Sequence, residues 1–375
     1  MENENLPLRG LRVIEFCWVW SGPMVGQHLA DLGAEVIKVE WYKRYDLYRT
    51  RGVERLRGKM PEDIRRESSY SFQSLNRNKL GFAADLKRDE GLAIVKDLIA
   101  ESDILLENFT VGTLDRLGLD AAELDRLNKK LVVVSLSATG RDSSIESLRS
   151  YGLMLSALGG YESLITDKDG AFLGSPTFVM SDPNAALFGV LASLAGALHA
   201  KEEGTGATYE CSQVEAVSSL VNTPPRTNRA TGQIEGIFAA LDGEFVALTI
   251  PETAMAPPCD SQEGVEAWAG QTGLDEILAT VRALGGVATR VASLADSETS
   301  EEFLGTDVRQ AIEHPISGVR DIVATPWLIN GKRPAIRTPA PLLGGDTDDV
   351  MERILGYDAS QMANVHESGV VDEPK

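Results

Sequence analysis

Residues 12–40 constrain this chain more than any other stretch. Arg12-Val13-Ile14-Glu15-Phe16 is a short β-rich run, and Ser21-Gly22-Pro23 is a turn. Met24 to Leu32 has helical spacing, and Gly33 supplies its stop. Glu35-Val36-Ile37-Lys38-Val39-Glu40 is a second β-rich run. Strand, turn, helix and strand in so short a span form a βαβ unit, which requires parallel strands and a right-handed crossover. The alternation continues downstream. Glu90 to Glu101 reads as a helix, Ile104 to Glu107 as a strand and Ala121 to Asn128 as a helix. Leu131 to Leu136 is the apolar run of a strand buried on both faces. A long helix is expected from near Asp182 to Gly204, and Tyr209 opens another strand and helix running to about Val221.

The fold class is therefore α/β. The 375 residues, 43% of them hydrophobic, suffice for one large core or for a large domain and a small one. A stretch rich in Pro, Arg, Asn and Thr, Thr223 to Gly236, reads as a crossing linker. Beyond it lie a strand at Glu244 to Ile250 and helices at Glu263 to Trp268 and Asp275 to Leu284; Thr347 to Leu355 forms a last helix.

Net charge is −20, which argues against nucleic-acid binding. Residues 1–150 carry 23 Lys and Arg against 24 Asp and Glu, a net of −1; residues 151–375 carry 13 against 32, a net of −19. An anionic ligand belongs on the first part. No run of ~18 apolar residues marks a membrane span. The acidic, polar start lacks the pattern of a secretion signal. Cys17, Cys211 and Cys259 are far apart and read as reduced thiols of a cytosolic protein. The sequon at Asn108 is accordingly expected to be unmodified.

GxGxxG after the first strand, GxxxxGK[ST], HExxH and GxSxG are all missing. The four histidines show no metal spacing, so no metal site is expected. Asp182-Pro183, at the head of an apolar helix, reads locally as an N-cap with Pro at N1. A helix N-terminus would also stabilise a reactive carboxylate and aim N–H groups at a developing oxyanion.

Several segments, in this order, carry a resemblance. They are Pro7-Leu8-Arg9-Gly10-Leu11-Arg12-Val13-Ile14, Ser21-Gly22-Pro23 and Ala30-Asp31-Leu32-Gly33-Ala34-Glu35-Val36-Ile37-Lys38-Val39-Glu40. Asn76-Arg77-Asn78-Lys79, Asp85-Leu86-Lys87, Glu107-Asn108-Phe109 and Leu117-Gly118-Leu119 follow. Ser181-Asp182-Pro183, Gly204-Thr205-Gly206, Pro339-Ala340-Pro341-Leu342-Leu343-Gly344 and Leu355-Gly356-Tyr357 complete the set. Together they resemble the class III CoA-transferases, a family that includes formyl-CoA transferase, carnitine CoA-transferase and α-methylacyl-CoA racemase. The likeness is strong over residues 7–221 and 335–371 and faint between about 240 and 320, where the family's small domain is usually longer.

The resemblance implies a Rossmann-like large domain with a parallel sheet, formed by residues 1–230 and 325–375. It implies a shortened small α/β domain at 231–324 and an interlocked dimer. Asp182 would be the covalent carboxylate of a CoA exchange between an acyl-CoA and a carboxylic acid. Coenzyme A thioester would enter as substrate, with no tightly bound cofactor. Trp20 stands where formyl-CoA transferase has a glutamine, which implies a more apolar pocket. Tyr151 stands where the racemases have a histidine base, and tyrosine is a poor base near neutrality. Lys79, Asn108, Phe109, Arg116, Arg149 and Arg44 are the implied CoA-binding residues. Benzylsuccinate CoA-transferases pair two unlike members of the family, so a structural or regulatory subunit of a heteromer is the alternative. An acyl-CoA racemase is a third reading, which Tyr151 disfavours.

Overall fold

The computed structural model describes residues 6–167, 170–175, 179–221, 233–255, 259–293, 295–299 and 305–374. Six strands build the main sheet: β1 (Arg12–Phe16), β2 (Glu35–Glu40), β3 (Lys79–Ala83), β4 (Ile104–Glu107), β5 (Val132–Ser137) and β6 (Thr208–Ser212). All pair in parallel, in the order β3-β2-β1-β4-β5-β6. The central strands are buried on both faces, which is why apolar residues follow one another without alternation, as in Val13-Ile14, Leu105-Leu106 and Val132-Val133-Val134.

The helices that follow are α1 (Ser21–Asp31), α2 (Tyr70–Asn76), α3 (Asp89–Ala100), α4 (Ala121–Leu127), α5 (Gly152–Leu158), α6 (Ser181–Glu203) and α7 (Gln213–Ser218). One core lies between the sheet and α3, with Ile14, Phe16, Ile37, Phe82, Leu98 and Leu105 at its centre. The other lies beneath α1 and α6, around Val25, Leu29, Val36, Val134, Leu136 and Ala186. Helix α6 approaches the sheet through glycines. A Cβ on Gly189 would sit 2.7 Å from Val25, and one on Gly196 would sit 2.5 Å from Val132.

Strand β3 was not legible in the sequence, because Lys-Leu-Gly-Phe-Ala has neither alternation nor an apolar run. Tertiary contact makes it a strand. The carbonyl of Leu342 lies 2.4 Å from where a Cβ on Gly81 would stand, and Asp346 accepts the Gly81 N–H at 2.7 Å.

The chain forms two compact units, Met1–Asn222 with Asp307–Lys375, and Thr223–Thr306. This shifts the expected boundaries. The antiparallel hairpin β10 (Arg309–His314) and β11 (Gly318–Val323), expected in the small domain, belongs to the first unit. There the Tyr70 hydroxyl donates to the Asp321 carbonyl at 3.0 Å, and Gln73 bonds the Ser317 hydroxyl. The second unit is an antiparallel sheet, β7 (Ile234–Ala239), β8 (Phe245–Ile250) and β9 (Val287–Arg290), with helices Gln262–Ala269 and Leu274–Ala283 sharing its core. Of the stretch read as a crossing linker, residues 223–232 lie outside the described residues, and Ile234 to Gly236 begin β7.

By length and composition helix α6 would suffice to cross a membrane. Its small-residue face, however, is pressed on β5 and α1.

Candidate active site

The strand order reverses between β1 and β4, and the loops leaving their C-terminal ends meet there. The β1 loop is Cys17-Trp18-Val19-Trp20, and it is held from several sides. Asn108, just past β4, accepts the Trp18 N–H at 2.9 Å and donates to the Trp18 carbonyl at 2.7 Å. Lys38 Nζ donates to the Cys17 carbonyl at 2.5 Å. Asp46 Oδ1 accepts the Val19 N–H at 2.9 Å. These anchors hold Val19 at φ 72°, a left-handed conformation that is strained for a β-branched residue. The strain turns the chain so that Trp20 enters α1 directly.

Asp182 lies across from that helix start. It does not cap α6, as its local sequence suggested. The helix begins two residues earlier, with Met180 in the cap position, and Pro183 follows Asp182 inside the first turn. The carboxylate faces the backbone N–H of Ser21 at the N-terminus of α1. Space for it exists because residue 152 is glycine: a Cβ there would stand 1.9 Å from Asp182 Oδ2 and 2.3 Å from Val179. The Ser181 hydroxyl, donating to the Gly152 carbonyl at 2.8 Å, ties the two segments together.

Burial pushes the Asp182 carboxyl up to about 6, against the opposing pull of the Ser21 N–H and the Arg51 guanidinium. A carboxylate desolvated to that degree is ionised at neutral pH and poorly hydrated, which suits it to attack a carbonyl carbon. Replacing Gly152 by Ala is expected to displace this carboxylate and lower kcat/KM by about 100-fold. Normal kinetics from a folded Ala variant would mean that the carboxylate does not react in this position.

The sequence model described as CoA-transferase family III matches residues 8–255. The chain belongs to CoA-transferase family III. A succinate–glutarate CoA-transferase of Agrobacterium fabrum is 32% identical over 221 residues, which are 59% of this chain and 54% of that one. The human succinyl-CoA:glutarate CoA-transferase is 26% identical across 99% of this chain and 91% of its own length. A CAIB/BAIF family protein from Brucella suis has the same fold, with TM-score 0.78 at 23% identity over 93% of this chain and all of that one.

The structure distributes the expected residues of this CoA-transferase unevenly. Trp20 packs with Tyr48, Phe72, Leu75 and Ala340 beside the turn into α1. Tyr151 directly precedes Gly152, so it borders the Asp182 segment, and it is 67% exposed. Arg44 is exposed and stacks on Trp18, 5.5 Å from the ring centre. Arg116 and Arg149 are exposed, and Arg116 donates to the Thr113 hydroxyl at 2.9 Å.

Lys79 is a correction. It is buried, and its ammonium is occupied by Glu15 at 2.8 Å, the Pro23 carbonyl at 2.9 Å and Asn76 at 3.0 Å. It supports this region from below, with its donors already taken by the protein. Asn108 and Phe109 also act on the loop: the Asn108 amide is engaged by the Trp18 backbone, and Phe109 meets the Trp18 ring edge-on at 5.4 Å.

Sequence reasoning missed Gly152, Tyr48 and Arg51. Nothing in their local sequence marks them, because the turn Leu47–Thr50 reaches the site only through the folded chain.

Proposed function

We propose that this CoA-transferase moves coenzyme A from an acyl-CoA donor to a carboxylic acid acceptor through a covalent intermediate on Asp182. The observation that carries this reading is the Asp182 carboxylate itself, partly buried, raised to about 6 and set against the N-terminus of α1.

Asp182 attacks the thioester carbonyl, forming a mixed anhydride and releasing CoA thiolate. The thiolate attacks the Asp182 carbonyl of that anhydride, which frees the donor acid and leaves an aspartyl-CoA thioester. The acceptor carboxylate then attacks this thioester and again releases the thiolate. Attack of the thiolate on the acceptor carbonyl yields the new acyl-CoA and restores Asp182. Each oxyanion forms beside a helix N-terminus, whose N–H groups favour it. Tyr151 and Trp20 border the path of the acids, and the exposed Arg44, Arg116 and Arg149 are the cations available to CoA phosphates.

The test is the mass of the intact chain after incubation with a panel of acyl-CoA thioesters. An increment equal to CoA that maps to Asp182 and is missing from Asp182→Asn supports the reading. A folded chain that binds CoA and forms no adduct with any donor would remove it.

The outer face of α5 and α6 favours a paired assembly. Leu153, Met154, Leu158, Leu187, Phe188, Leu191 and Leu198 are exposed there, on helices that also frame Asp182. One relative is the beta subunit of a succinyl-CoA–L-malate CoA-transferase, 25% identical over 98% of each chain. A homodimer, or a dimer with a related subunit, would cover this face. Light scattering is expected to give twice the chain mass, or that of a heterodimer on co-expression with a related subunit. A monodisperse monomer active alone would exclude both. A cytosolic setting suits the three unpaired cysteines.

A further inference from the structure

Arg51 differs from the other arginines near Asp182. Arg49, two residues earlier, is buried between Glu40 at 2.7 Å and Glu67 at 2.6 Å. Arg51 is exposed, lies over the ring of Tyr48 at 4.8 Å, and forms no ion pair among the described residues.

Its position is nevertheless fixed. The Ser69 hydroxyl donates to the Arg51 carbonyl at 2.7 Å. Tyr48, under the guanidinium, is buried in the same cluster as Trp20. The N–H groups of Tyr48 and Val19 share one acceptor, Asp46 Oδ1, each at 2.9 Å. The turn that carries Arg51 and the loop that leads into Ser21 are therefore one rigid piece, and Ser21 faces Asp182. Arg51 makes no ion pair with Asp182, yet its charge acts on that carboxylate; the exposed Glu54 also lies in its field. The geometry agrees: the guanidinium overlies Tyr48, and Tyr48 packs with Trp20, the residue before Ser21.

We propose that Arg51 receives the free carboxylate of a dicarboxylic substrate whose other carboxyl group reacts at Asp182. The assignment rests on the reading of Asp182 as the covalent carboxylate. A diacid half-thioester of CoA brings a second negative charge close to an ionised, partly desolvated aspartate. Without a cation the two repel, and the substrate's free carboxylate loses hydration with nothing in return. A guanidinium held beside the Tyr48 ring offers its fork of N–H donors to that group. A monocarboxylic acid of the same length has no group for it and leaves Arg51 in water.

The experiment loads the aspartyl-CoA form from whichever acyl-CoA donor gives it, and chases with succinate or butyrate, and with glutarate or valerate. Discharge is followed by intact mass, and binding of each acid to the unloaded protein by calorimetry. The native chain is expected to favour each diacid over its monoacid at least tenfold in kcat/KM. Arg51→Leu is expected to lose about 30-fold or more for the diacids and less than threefold for the monoacids, with CoA binding unchanged. Arg51→Lys should recover part of the loss. Because Arg51 is exposed, both variants are expected to melt with the native chain.

Equal discharge to both acid classes, or equal losses for both in Arg51→Leu, would overturn the assignment while the Asp182 adduct stands. Weakened CoA binding in Arg51→Leu would overturn it as well, by giving Arg51 to a CoA phosphate. If no adduct forms, but succinate binds and Arg51→Leu abolishes that binding, the covalent reading fails and the carboxylate site remains.

Discussion

Asp182→Asn is expected to abolish turnover, by at least about 1,000-fold, while making the protein harder to melt at pH 8. The two effects share a cause. Folding raises the Asp182 carboxyl to about 6, chiefly by burial, so the ionised form is less favourable in the folded chain than in the unfolded one. The sign follows directly. Below the unfolded value of about 4, aspartate is protonated in both states and costs nothing. As pH rises, the unfolded chain ionises first, and the full penalty is present once pH exceeds about 6. Asparagine, of similar shape and uncharged, avoids it.

The melting advantage of Asp182→Asn should therefore be large at pH 8 and shrink toward zero near pH 4. A shift of about two units corresponds to on the order of 2–3 kcal/mol, an upper figure for a partly exposed group. For the native enzyme, kcat/KM should fall about tenfold per unit below pH 6, as the nucleophile takes up its proton. Calorimetry across pH, beside the pH–rate profile, checks both. An Asn variant that melts lower than the native chain at pH 8 would mean that Asp182 is a stabilising structural residue.

Loss of Glu15 should do the opposite: little chemistry is touched, and much of the fold is lost. Glu15 lies near the C-terminal end of the central strand β1, beneath α1 and fully buried, with Lys79 at 2.8 Å and Lys38 at 3.2 Å. Lys38 also pairs with buried Asp46 at 3.1 Å, so two anions balance two cations. Gly26 of α1 makes room, since a Cβ there would stand 1.8 Å from Glu15 Oε2. Burial, helped by the neighbouring Lys38 charge, lowers the Lys79 ammonium to about 8 against the pull of Glu15.

Glu15→Ala leaves one ammonium without its counter-ion and is expected to cost about 3–5 kcal/mol in denaturant unfolding. Glu15→Leu combined with Lys79→Met removes one charge of each sign and keeps the Lys38–Asp46 pair. It should recover most of the loss, because apolar residues of similar volume replace buried ion pairs at little cost. If the double variant is as unstable as Glu15→Ala, the network acts through shape and not through charge.

This network also explains why the site is rigid. Lys38 and Asp46 each hold a backbone group of the Cys17–Val19 segment, so the charges beneath the sheet edge set the strained turn above it. Arg51 takes its place from the same Asp46, through the N–H of Tyr48.

Sequence alone determined the parallel sheet: strand, helix and strand over residues 12–40 require β1 and β2 to pair in parallel, and the apolar run of β5 marks a strand buried on both faces. It pointed to Asp182, through the family resemblance of the segments that surround it in order along the chain. It could not determine where Lys79 points. A lysine in a short polar stretch looks solvated, and only the pairing of β3 with β2 turns it inward to Glu15. Nor could it show that α6 starts before Asp182, that Gly152 vacates the space the carboxylate fills, or that Arg51 acts on that carboxylate. Periodicity and turn chemistry are local and are written in neighbouring residues. Burial of charge and the fit of a side chain against a missing Cβ depend on residues far apart in sequence, and only the folded chain brings these together.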